Sequence, residues 1–407
     1  MAPSKLVIVG TGHAGAQAAI ALRQRKFDGS ITLVGDESDY PYERPPLSKE
    51  YLAGTKSFER ILIRPQPFWA DRRIEIRLGQ RVVAVEAAEH RVVLQSGEHL
   101  SYDQLIWAAG GTPRSLQCAG GALAGVHSVR SRADVDAMLE ELPGVPRVVV
   151  VGGGYIGLEA AAALRTLGHE VVLLEAIDRV LARVAGESIS RFFEAEHRAQ
   201  GVEIRTNVSV DCVEGVQGAA TGVRIGTGEI FPAAMVIVGI GITPNVEPIA
   251  VAGACVSNGV HVDEHCRTSL ADVFAIGDCA LHRSRFANSD WVRLESVQNA
   301  NDQAQTVARW ITGDPQPYDT VPWFWSNQYD LKLQSVGLSP GFDASVVRGD
   351  PASRSFSVVY LRGGKVIALD CVNDIKDYAQ GRALVQSGTV VPKAMLSDRS
   401  IPLKEFM

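Results

Sequence analysis

The first apolar positions of the chain form a continuous β-branched run, which is followed by spaced glycines and an alanine-rich stretch. This segment, "LVIVGTGHAGAQAAIAL", begins at Leu6. A continuous apolar run is typical of a parallel strand covered on both faces, and alanine favours helix. The pattern predicts a strand over Lys5–Gly10, a helix over Ala14–Arg25 and a second strand over Ser30–Gly35.

The same pattern returns 142 residues later as "VVVVGGGYIGLEAAAAL", which begins at Val148. It predicts a strand over Arg147–Val151, a helix over Gly157–Leu167 and a strand over Glu170–Glu175. Strands that alternate with helices in this way indicate an α/β fold with a parallel sheet. Two such units in one chain indicate two similar binding sites.

The remaining patterns are those of hairpins and single helices. The alternating segment "RVVAVEAAEHRVVLQSGEHL" from Arg81 predicts hairpin strands, and Leu294–Thr312 reads as a long helix. "SFSVVYLRGGKVIALDCV" predicts two strands around Gly363 and Gly364, with a helix from about Ile375 to Gln386. We therefore expect a separate α+β domain at the C-terminal end.

Composition excludes several functional classes. The chain has 407 residues, of which 46% are hydrophobic and 21% charged, and this is typical of a soluble globular protein. Its formal charge of −6 argues against a nucleic-acid partner. It contains no apolar run long enough to span a membrane, and its start shows no secretory signal. Its six cysteines include no CxxC pair, which indicates reduced thiols and a cytoplasmic location.

The two glycine-rich turns carry the first chemical signal. Each stands between a predicted strand and a predicted helix, where the first glycine permits a tight turn, the second a close approach of pyrophosphate, and the third close helix packing. The helix N-terminus then faces the phosphates with its unpaired N–H groups. The glycines are Gly10, Gly12 and Gly15 in the first turn, and Gly152, Gly154 and Gly157 in the second.

An acid follows each unit at the end of its second strand, Asp36 in the first and Glu175 in the second. A carboxylate there can accept hydrogen bonds from both ribose hydroxyls of an adenosine half. Since it would repel a 2′-phosphate, Glu175 predicts NADH rather than NADPH, although the nearby Arg179 and Arg183 weaken this expectation.

Two dinucleotide sites predict a flavoprotein that holds FAD in the N-terminal site and a nicotinamide cofactor in the other. The expected fold class is α/β, with two Rossmann-type dinucleotide-binding domains as in glutathione-reductase-like flavoproteins, plus a C-terminal α+β domain. The expected boundaries are 1–113 and 241–319 for the FAD-binding domain, 114–240 for the NAD-binding domain, and 320–407 for the C-terminal domain.

A redox-active cysteine is missing after the first unit, since no cysteine precedes Cys118. Electrons that reach a flavin therefore have no evident disulfide relay. With this feature, five segments resemble the FAD-dependent, NADH-using ferredoxin reductases of bacterial oxygenase systems, in the same order over nearly the whole chain. They are "ERPPLSK" (43–49), "GGGYIGLE" (152–159), "VFAIGDCA" (273–280), "ESVQNA" (295–300) and "PWFWSNQY" (322–329).

The resemblance implies FAD and NADH as cofactors and a 2Fe-2S ferredoxin as the partner. It also implies that Lys49 lies near the flavin N5 and stabilises the reduced flavin, and that Glu159 pairs with this lysine. Trp323 and Trp325 would lie by the isoalloxazine, with Trp325 the better candidate. Packing in the C-terminal core is the alternative for both tryptophans.

Further cofactor contacts are implied by the same resemblance. Asp278 would bind the FAD ribityl chain, Val297 the flavin ring and Val82 the adenine region. Arg130 matches a family arginine near FAD, although Arg132 is an alternative match. The other expected cofactor-binding residues are Ala14, Ala109 (where the family commonly has Thr), Gly110 and Gly277, together with Tyr155, Ile156 and Gly241 at the nicotinamide site.

Other readings complete the sequence-based hypotheses. "HVDEHC" offers His261, His265 and Cys266 but no fourth ligand, so we expect no metal. An acidic ferredoxin would need a local basic patch on this acidic chain, and the candidate side chains are Arg72, Arg73, Arg293 and Arg309. One alternative function is an NADH oxidase or quinone reductase, and another is an NADH-sensing flavoprotein that acts as a binding module. A monomer is favoured.

Overall fold

The computed structural model describes residues 4–407. Its strands are β1 Lys5–Val9, β2 Ser30–Val34, β3 Ile74–Arg77, β4 Val82–Glu86, β5 Arg91–Leu94, β6 His99–Ser101, β7 Gln104–Trp107, β8 Gly111–Pro113, β9 Val126–Ser128, β10 Arg147–Val151, β11 Glu170–Leu174, β12 Val202–Arg205, β13 Val210–Val216, β14 Ala219–Ile225, β15 Ile230–Pro232, β16 Met235–Val238, β17 Ile242–Pro244, β18 Val256–Ser257, β19 Gly259–His261, β20 Val273–Ala275, β21 Ala280–Ser284, β22 Asp290–Val292, β23 Trp323–Gln328, β24 Leu331–Gly337, β25 Ala344–Asp350, β26 Ser355–Arg362 and β27 Lys365–Val372.

The helices are α1 His13–Gln24, α2 Gln66–Asp71, α3 Arg132–Glu141, α4 Tyr155–Thr166, α5 Glu187–Ala199, α6 Glu247–Val251, α7 Val297–Ile311, α8 Ile375–Ser387 and α9 Lys393–Ser397. None of the helices within residues 4–407 combines the length and apolar character needed to cross a membrane.

The chain forms two compact units. The first unit comprises residues 4–44, Phe58–Thr112 and Thr243–Pro322. The second unit comprises Pro45–Ser57, Pro113–Ile242 and Trp323–Met407. Each unit is therefore assembled from three separate stretches of sequence.

The first unit is built on a five-stranded sheet in the order β20-β7-β1-β2-β3, and every neighbouring pair is parallel. The apolar run of β1 explains its central position, because four of its five residues are buried. Small alanines on α1 pack with Ala304, Val307 and Ala308 of α7 in one core cluster. The predicted first βαβ unit is present, and its elements end within one or two residues of the predicted limits.

The second unit repeats this arrangement with a parallel sheet in the order β12-β11-β10-β16-β9. Strand β10 has the predicted limits, and α4 follows it directly. The C-terminal segment adds an antiparallel sheet in the order β23-β24-β27-β26-β25, on which α8 packs. The hairpin predicted around Gly363 and Gly364 joins β26 to β27.

The predicted fold class is confirmed, since both parallel sheets have the strand order of a dinucleotide-binding half. The three-domain boundaries remain a prediction. In the two compact units, the segment Pro45–Ser57 belongs with 113–242, and the C-terminal residues 323–407 belong to the same second unit.

Candidate functional site

The first and third glycines of each turn are required by the packing of the chain itself. A Cβ atom at Gly10 would lie 2.2 Å from the Ala108 carbonyl oxygen, and one at Gly15 would lie 1.9 Å from the Gly10 carbonyl oxygen. In the second turn the corresponding distances are 2.4 Å from Gly152 to the Gly239 oxygen, and 2.0 Å from Gly157 to the Gly152 oxygen. These contacts follow from tight turns and close helix packing.

The middle glycines differ, because little or nothing stands where their side chains would be. A Cβ at Gly12 would approach Arg44 Nε only to 3.9 Å, and one at Gly154 would have no atom of the described residues within 4 Å. Both residues have extended backbone with φ of −73° and −77°, which any residue adopts. Packing within the described chain therefore does not explain either glycine, whereas a closely bound ligand would.

The space in front of each middle glycine adjoins the N-terminus of a helix. Gly12 and Gly154 are the N-cap residues of α1 and α4, and as glycines they have no side chain with which to cap either helix. The first N–H groups of each helix thus point toward an anion-binding position. This arrangement fits a dinucleotide pyrophosphate in each unit, as expected for FAD in the first and a nicotinamide cofactor in the second.

The two strand-end acids have different surroundings. Glu175 turns back onto the second glycine turn, where its carboxylate accepts hydrogen bonds from Gly153 N at 2.6 Å and Ile177 N at 3.0 Å. A carboxylate has about four acceptor sites, so two remain for ribose hydroxyls. Asp36 is exposed at the end of β2.

Arg44 and Glu37 are candidate residues that the sequence analysis missed. Arg44 hydrogen-bonds to the Glu37 carboxylate, and the Tyr42 hydroxyl also bonds to Glu37. Burial opposes the charge on Arg44, but Tyr42 and Glu37 raise the pKa of its guanidinium overall. The cation thus lies beside Gly12, where it could bind a phosphate. The signal available in the sequence was the segment "YERPP", in which Arg44 directly follows another acid, Glu43.

The turn that carries Asp278 is fixed by a buried hydrogen bond and by close packing at Gly277. Gly277 has φ of +76° and its N–H donates to the buried Gln303 side chain at 2.7 Å. A Cβ at Gly277 would lie 2.8 Å from the Ala14 side chain, so only glycine fits. Asp278 follows this fixed turn and is half-buried in the first unit.

The other predicted FAD contacts of the first unit occupy element ends. Val297 is the first residue of α7, where backbone N–H groups have no partner within the helix. Ala109 and Gly110 follow β7, and Gly110 has φ of +61°. Val82 is buried at the start of β4.

The predicted pair of Lys49 and Glu159 is present in the second unit. Lys49 Nζ lies 2.9 Å from Glu159 Oε2, and both side chains are almost fully buried. Two serines that the sequence analysis missed also donate to Glu159: Ser48 Oγ to Oε2 at 2.6 Å, and Ser326 Oγ to Oε1 at 2.7 Å. The carboxylate therefore accepts three hydrogen bonds, which offset the cost of burying its charge.

Aromatic rings follow one another along β23 in the same unit, and one of them contacts the start of α4. The Tyr155 ring stacks on Phe324 with centroids 4.5 Å apart, and burial raises the pKa of the Tyr155 hydroxyl. Trp323 and Trp325 lie side by side on β23, with their ring centroids 5.6 Å apart. Both tryptophans are half-buried, so part of each ring is accessible.

The remaining predicted contacts also belong to the second unit. Arg132 pairs with Asp136 at 2.9 Å, whereas Arg130 is half-buried just before α3. Ile156 is exposed in the first turn of α4, and Gly241 has φ of +94° with open space at its Cβ position. Arg130 and Arg132 both remain candidates for the predicted contact near FAD.

The structure divides the predicted site residues between the two units. The first unit holds Gly10, Gly12, Ala14, Gly15, Asp36, Val82, Ala109, Gly110, Gly277, Asp278 and Val297, and the second holds Lys49, Arg130, Gly152, Gly154, Tyr155, Ile156, Gly157, Glu159, Glu175, Gly241 and Trp325. Their roles as cofactor ligands remain predictions. Over residues 4–407, no group of three or more His, Cys, Asp or Glu side chains could hold a metal ion.

The chain matches known families and structures over most of its length. The family described as pyridine nucleotide-disulphide oxidoreductase matches residues 4–304, and the family described as reductase C-terminal matches residues 323–407.

Among curated proteins, the 5,5'-dehydrodivanillate O-demethylase ferredoxin reductase subunit of Sphingobium sp. is 60% identical over 401 residues, which is 98% of this chain and 97% of that protein. A ferredoxin–NAD(P)(+) reductase of Sphingomonas sp. is 56% identical over 403 residues, 99% of this chain and 97% of that protein. Among solved structures, the covalent putidaredoxin reductase–putidaredoxin complex has a TM-score of 0.96 at 40% identity, and the match covers 100% of this chain and 98% of that one.

Proposed function

Since the chain belongs to the pyridine nucleotide-disulphide oxidoreductase family and, within it, to the ferredoxin reductases of oxygenase systems, we propose that it passes electrons from NADH through FAD to a 2Fe-2S ferredoxin that serves an oxygenase. The family resemblance and the FAD-dependent oxidoreductase predicted from the sequence are confirmed. The observation that carries the proposal is that the similarity to a ferredoxin reductase subunit extends over nearly the whole chain.

The two glycine turns supply the binding energy for the two dinucleotides. Gly12 and Gly154 leave room for a pyrophosphate against the first N–H groups of α1 and α4, and Arg44 adds a cation at the first site. We assign FAD to the turn at Gly10–Gly15 and NADH to the turn at Gly152–Gly157. Bound FAD supplies the chemistry, because it accepts a hydride and returns single electrons.

Lys49 contributes a fixed positive charge. The two serines hold its partner carboxylate, that of Glu159, so the ammonium cannot turn freely into solvent. Following the family resemblance, we propose that this charge stabilises the anionic reduced flavin and that Trp325 packs by the isoalloxazine. Glu175 would exclude the 2′-phosphate of NADPH by charge repulsion.

Electrons are proposed to leave the flavin directly for the ferredoxin. All six cysteines are free, and the first of them, Cys118, comes long after the first glycine turn. Cys266, Cys279 and Cys371 are buried, and burial raises the pKa of each thiol, so these three are poor redox relays. This supports direct transfer from the flavin to an external acceptor rather than through an internal disulfide.

The test is NADH-driven cytochrome c reduction by the purified flavoprotein, with and without a two-iron ferredoxin from an oxygenase system. We expect a rate that depends strongly on ferredoxin and is lower with NADPH. Rapid NADH loss to oxygen or quinone without ferredoxin dependence would instead support the oxidase or quinone reductase. Slow turnover with every ferredoxin tested, together with a long-lived reduced state, would favour the sensor.

A cytoplasmic location and a monomeric state are further parts of the proposal. Free cysteines, four of which are buried in the chain, suit a reducing compartment. Light scattering during size-exclusion chromatography would test the monomer, and fractionation of the source cells would test the location.

A further inference from the structure

The Glu159 carboxylate receives hydrogen bonds on both of its oxygens. Ser48 and Lys49 share Oε2, at 2.6 and 2.9 Å. On Oε1 the donor among the described residues is Ser326, whose Oγ lies 2.7 Å away. Ser326 therefore holds the carboxylate oxygen to which Lys49 does not bond.

Ser326 is the first member of a row of buried polar groups that leads away from Glu159. Gln328, two residues along β23, donates from Nε2 to Ser326 Oγ at 3.1 Å. Its Oε1 lies 2.8 Å from Nε2 of His197 on α5, and Nδ1 of His197 lies 3.3 Å from the Tyr329 hydroxyl. Ser326, Gln328 and His197 are each at most 1% exposed.

The charge of Glu159 gives this row one direction. A carboxylate can only accept hydrogen bonds. The Ser326 hydroxyl therefore donates its hydrogen bond to Glu159 and must accept one from the Gln328 amide. Gln328 Oε1 then accepts from His197 Nε2–H, which leaves Nδ1 to accept from Tyr329. Burial lowers the pKa of His197 to about 4, so at neutral pH its ring has one N–H and one acceptor nitrogen, as the row requires.

We propose that Ser326, Gln328 and His197, here called the Glu159 relay, are positioning residues that fix the Glu159 carboxylate and thereby the place of the Lys49 ammonium. The inference rests on the proposed function, in which that ammonium stabilises reduced FAD. None of the relay residues needs to touch the cofactor, since they act through Glu159.

Removing the Ser326 hydroxyl is expected to have two effects, which change the electrostatic potential around Lys49 in the same direction. Oε1 loses its donor, so the carboxylate attracts the Lys49 ammonium more strongly. The positive end of the hydroxyl dipole is also lost. Both effects make the potential around Lys49 more negative and so disfavour an anionic reduced flavin.

The first experiment measures the flavin midpoint potential of purified holoenzyme by spectroelectrochemistry. We expect Ser326→Ala to lower the equilibrium constant for flavin reduction about threefold, which is about 14 mV for a two-electron couple. Ser326→Thr keeps the hydroxyl and should retain the wild-type potential. Ser357→Ala is the matched control, because Ser357 is equally buried in the same unit and donates to Asp377 at 2.6 Å.

A double-variant cycle tests whether the three residues act as a relay. Gln328→Met removes both of its hydrogen bonds and should shift the potential in the same direction as Ser326→Ala, but less. In the double variant the shift should equal that of Ser326→Ala alone, because Gln328 acts only through Ser326. Additive shifts, or equal shifts in Ser326→Ala and the Ser357→Ala control, would overturn the proposal.

A measurement that does not use the flavin separates this inference from the proposed function. Imidazole nitrogen NMR, with the His197 signal assigned by His197→Gln, should show a neutral Nε2–H ring between about pH 6 and 8, whose resonances change in Gln328→Met. A protonated ring or an Nδ1–H tautomer would refute the relay, even if Ser326→Ala fails to fold. If Lys49→Met leaves the potential unchanged, the proposed role of Lys49 fails, and the NMR result alone decides the relay.

Discussion

At the scale of single residues, Gly154 and Gly157 stand three positions apart but would meet different neighbours as alanine. We expect Gly154→Ala to change the free energy of unfolding by less than about 1 kcal/mol, because its Cβ meets open space and its φ is permitted. The same variant should weaken NADH binding at least about tenfold, since the methyl group occupies the pyrophosphate position.

Gly157→Ala should behave in the opposite way. Its Cβ would lie 2.0 Å from the Gly152 carbonyl oxygen, so α4 must move and stability should fall by about 2–3 kcal/mol. Urea unfolding and NADH titration of both variants give the comparison. Equal losses of stability in both would show that the middle glycine also serves packing.

Glu175 carries a second prediction at this scale, on the choice of nicotinamide cofactor. Glu175→Gln removes the negative charge beside the expected ribose position and should raise the ratio of kcat/KM for NADPH to that for NADH about tenfold. Glu170→Gln is a matched control, since Glu170 begins the same strand and forms an exposed pair with Arg147. An unchanged ratio in Glu175→Gln would place the selectivity elsewhere, for example at Arg179 or Arg183.

At the scale of elements, Arg348 on β25 connects the C-terminal sheet to the end of the chain. Its buried guanidinium pairs with Asp377 at 2.9 Å. It also donates to the backbone carbonyl of Leu396 in α9 and to those of Asp398, Arg399 and Ile401 in the segment that follows. Arg348→Met leaves these carbonyls without that donor and leaves the buried Asp377 carboxylate with the Ser357 hydroxyl but no cation, so stability should fall by about 3–5 kcal/mol.

Limited proteolysis should then cut Arg348→Met between residues 396 and 407 earlier than the wild type. Arg362→Met is the control, because Arg362 also donates to two carbonyls, of Pro340 and Gly341, but at a more exposed position. A loss of stability no larger than that of the control would contradict the assigned role.

The C-terminal sheet also contains a buried acid without a basic partner. Burial raises the pKa of Asp370 to about 6, although Ser335 and Tyr360 donate to it, each at 2.6 Å. The unfolded value is about 3.9, so the folded state holds the proton more tightly and stability falls as pH rises from about 4 to about 6.

Asp370→Asn cannot ionise and should avoid this fall. At pH 8 it should be about 2–3 kcal/mol more stable than the wild type, and at pH 4.5 the difference should be below about 1 kcal/mol. Urea unfolding at the two pH values measures this, with the exposed Asp343→Asn as control. A difference independent of pH would mean that shape or hydrogen bonding, rather than ionisation, sets the effect.

At the scale of the whole molecule, the charge of −6 disfavours a long-range approach of an acidic ferredoxin, so attraction must be local. Of the four arginines considered for docking, Arg72 and Arg73 are exposed, whereas the Arg293 side chain is 9% exposed and pairs with Glu295. Raising NaCl from about 50 to about 500 mM should lower kcat/KM for ferredoxin through screening, with ferricyanide reduction unchanged. A rise would indicate that net repulsion dominates.

The sequence predicted the elements well where the hydrophobic pattern was continuous, as in β1 and β10, because burial on both faces leaves little freedom of composition. It also led to the Lys49–Glu159 pair through the family resemblance. It could not find Ser326, which lies 167 positions from Glu159, or Gln303 beneath Gly277. Polar side chains such as these meet their partners only when the chain has folded, and no periodic sequence pattern predicts the contacts.

The assembly of each unit from three stretches of sequence has a consequence for folding during synthesis. The outer strand β20 pairs through Val273 with Leu105 of β7, so the sheet that starts at β1 stays incomplete until long after β7 has left the ribosome. The second unit similarly waits for Trp323–Met407, which are made after every other stretch of either unit. We therefore expect neither unit to reach its final form on a nascent chain that stops before about residue 300, so the growing polypeptide would depend on chaperones for most of its synthesis.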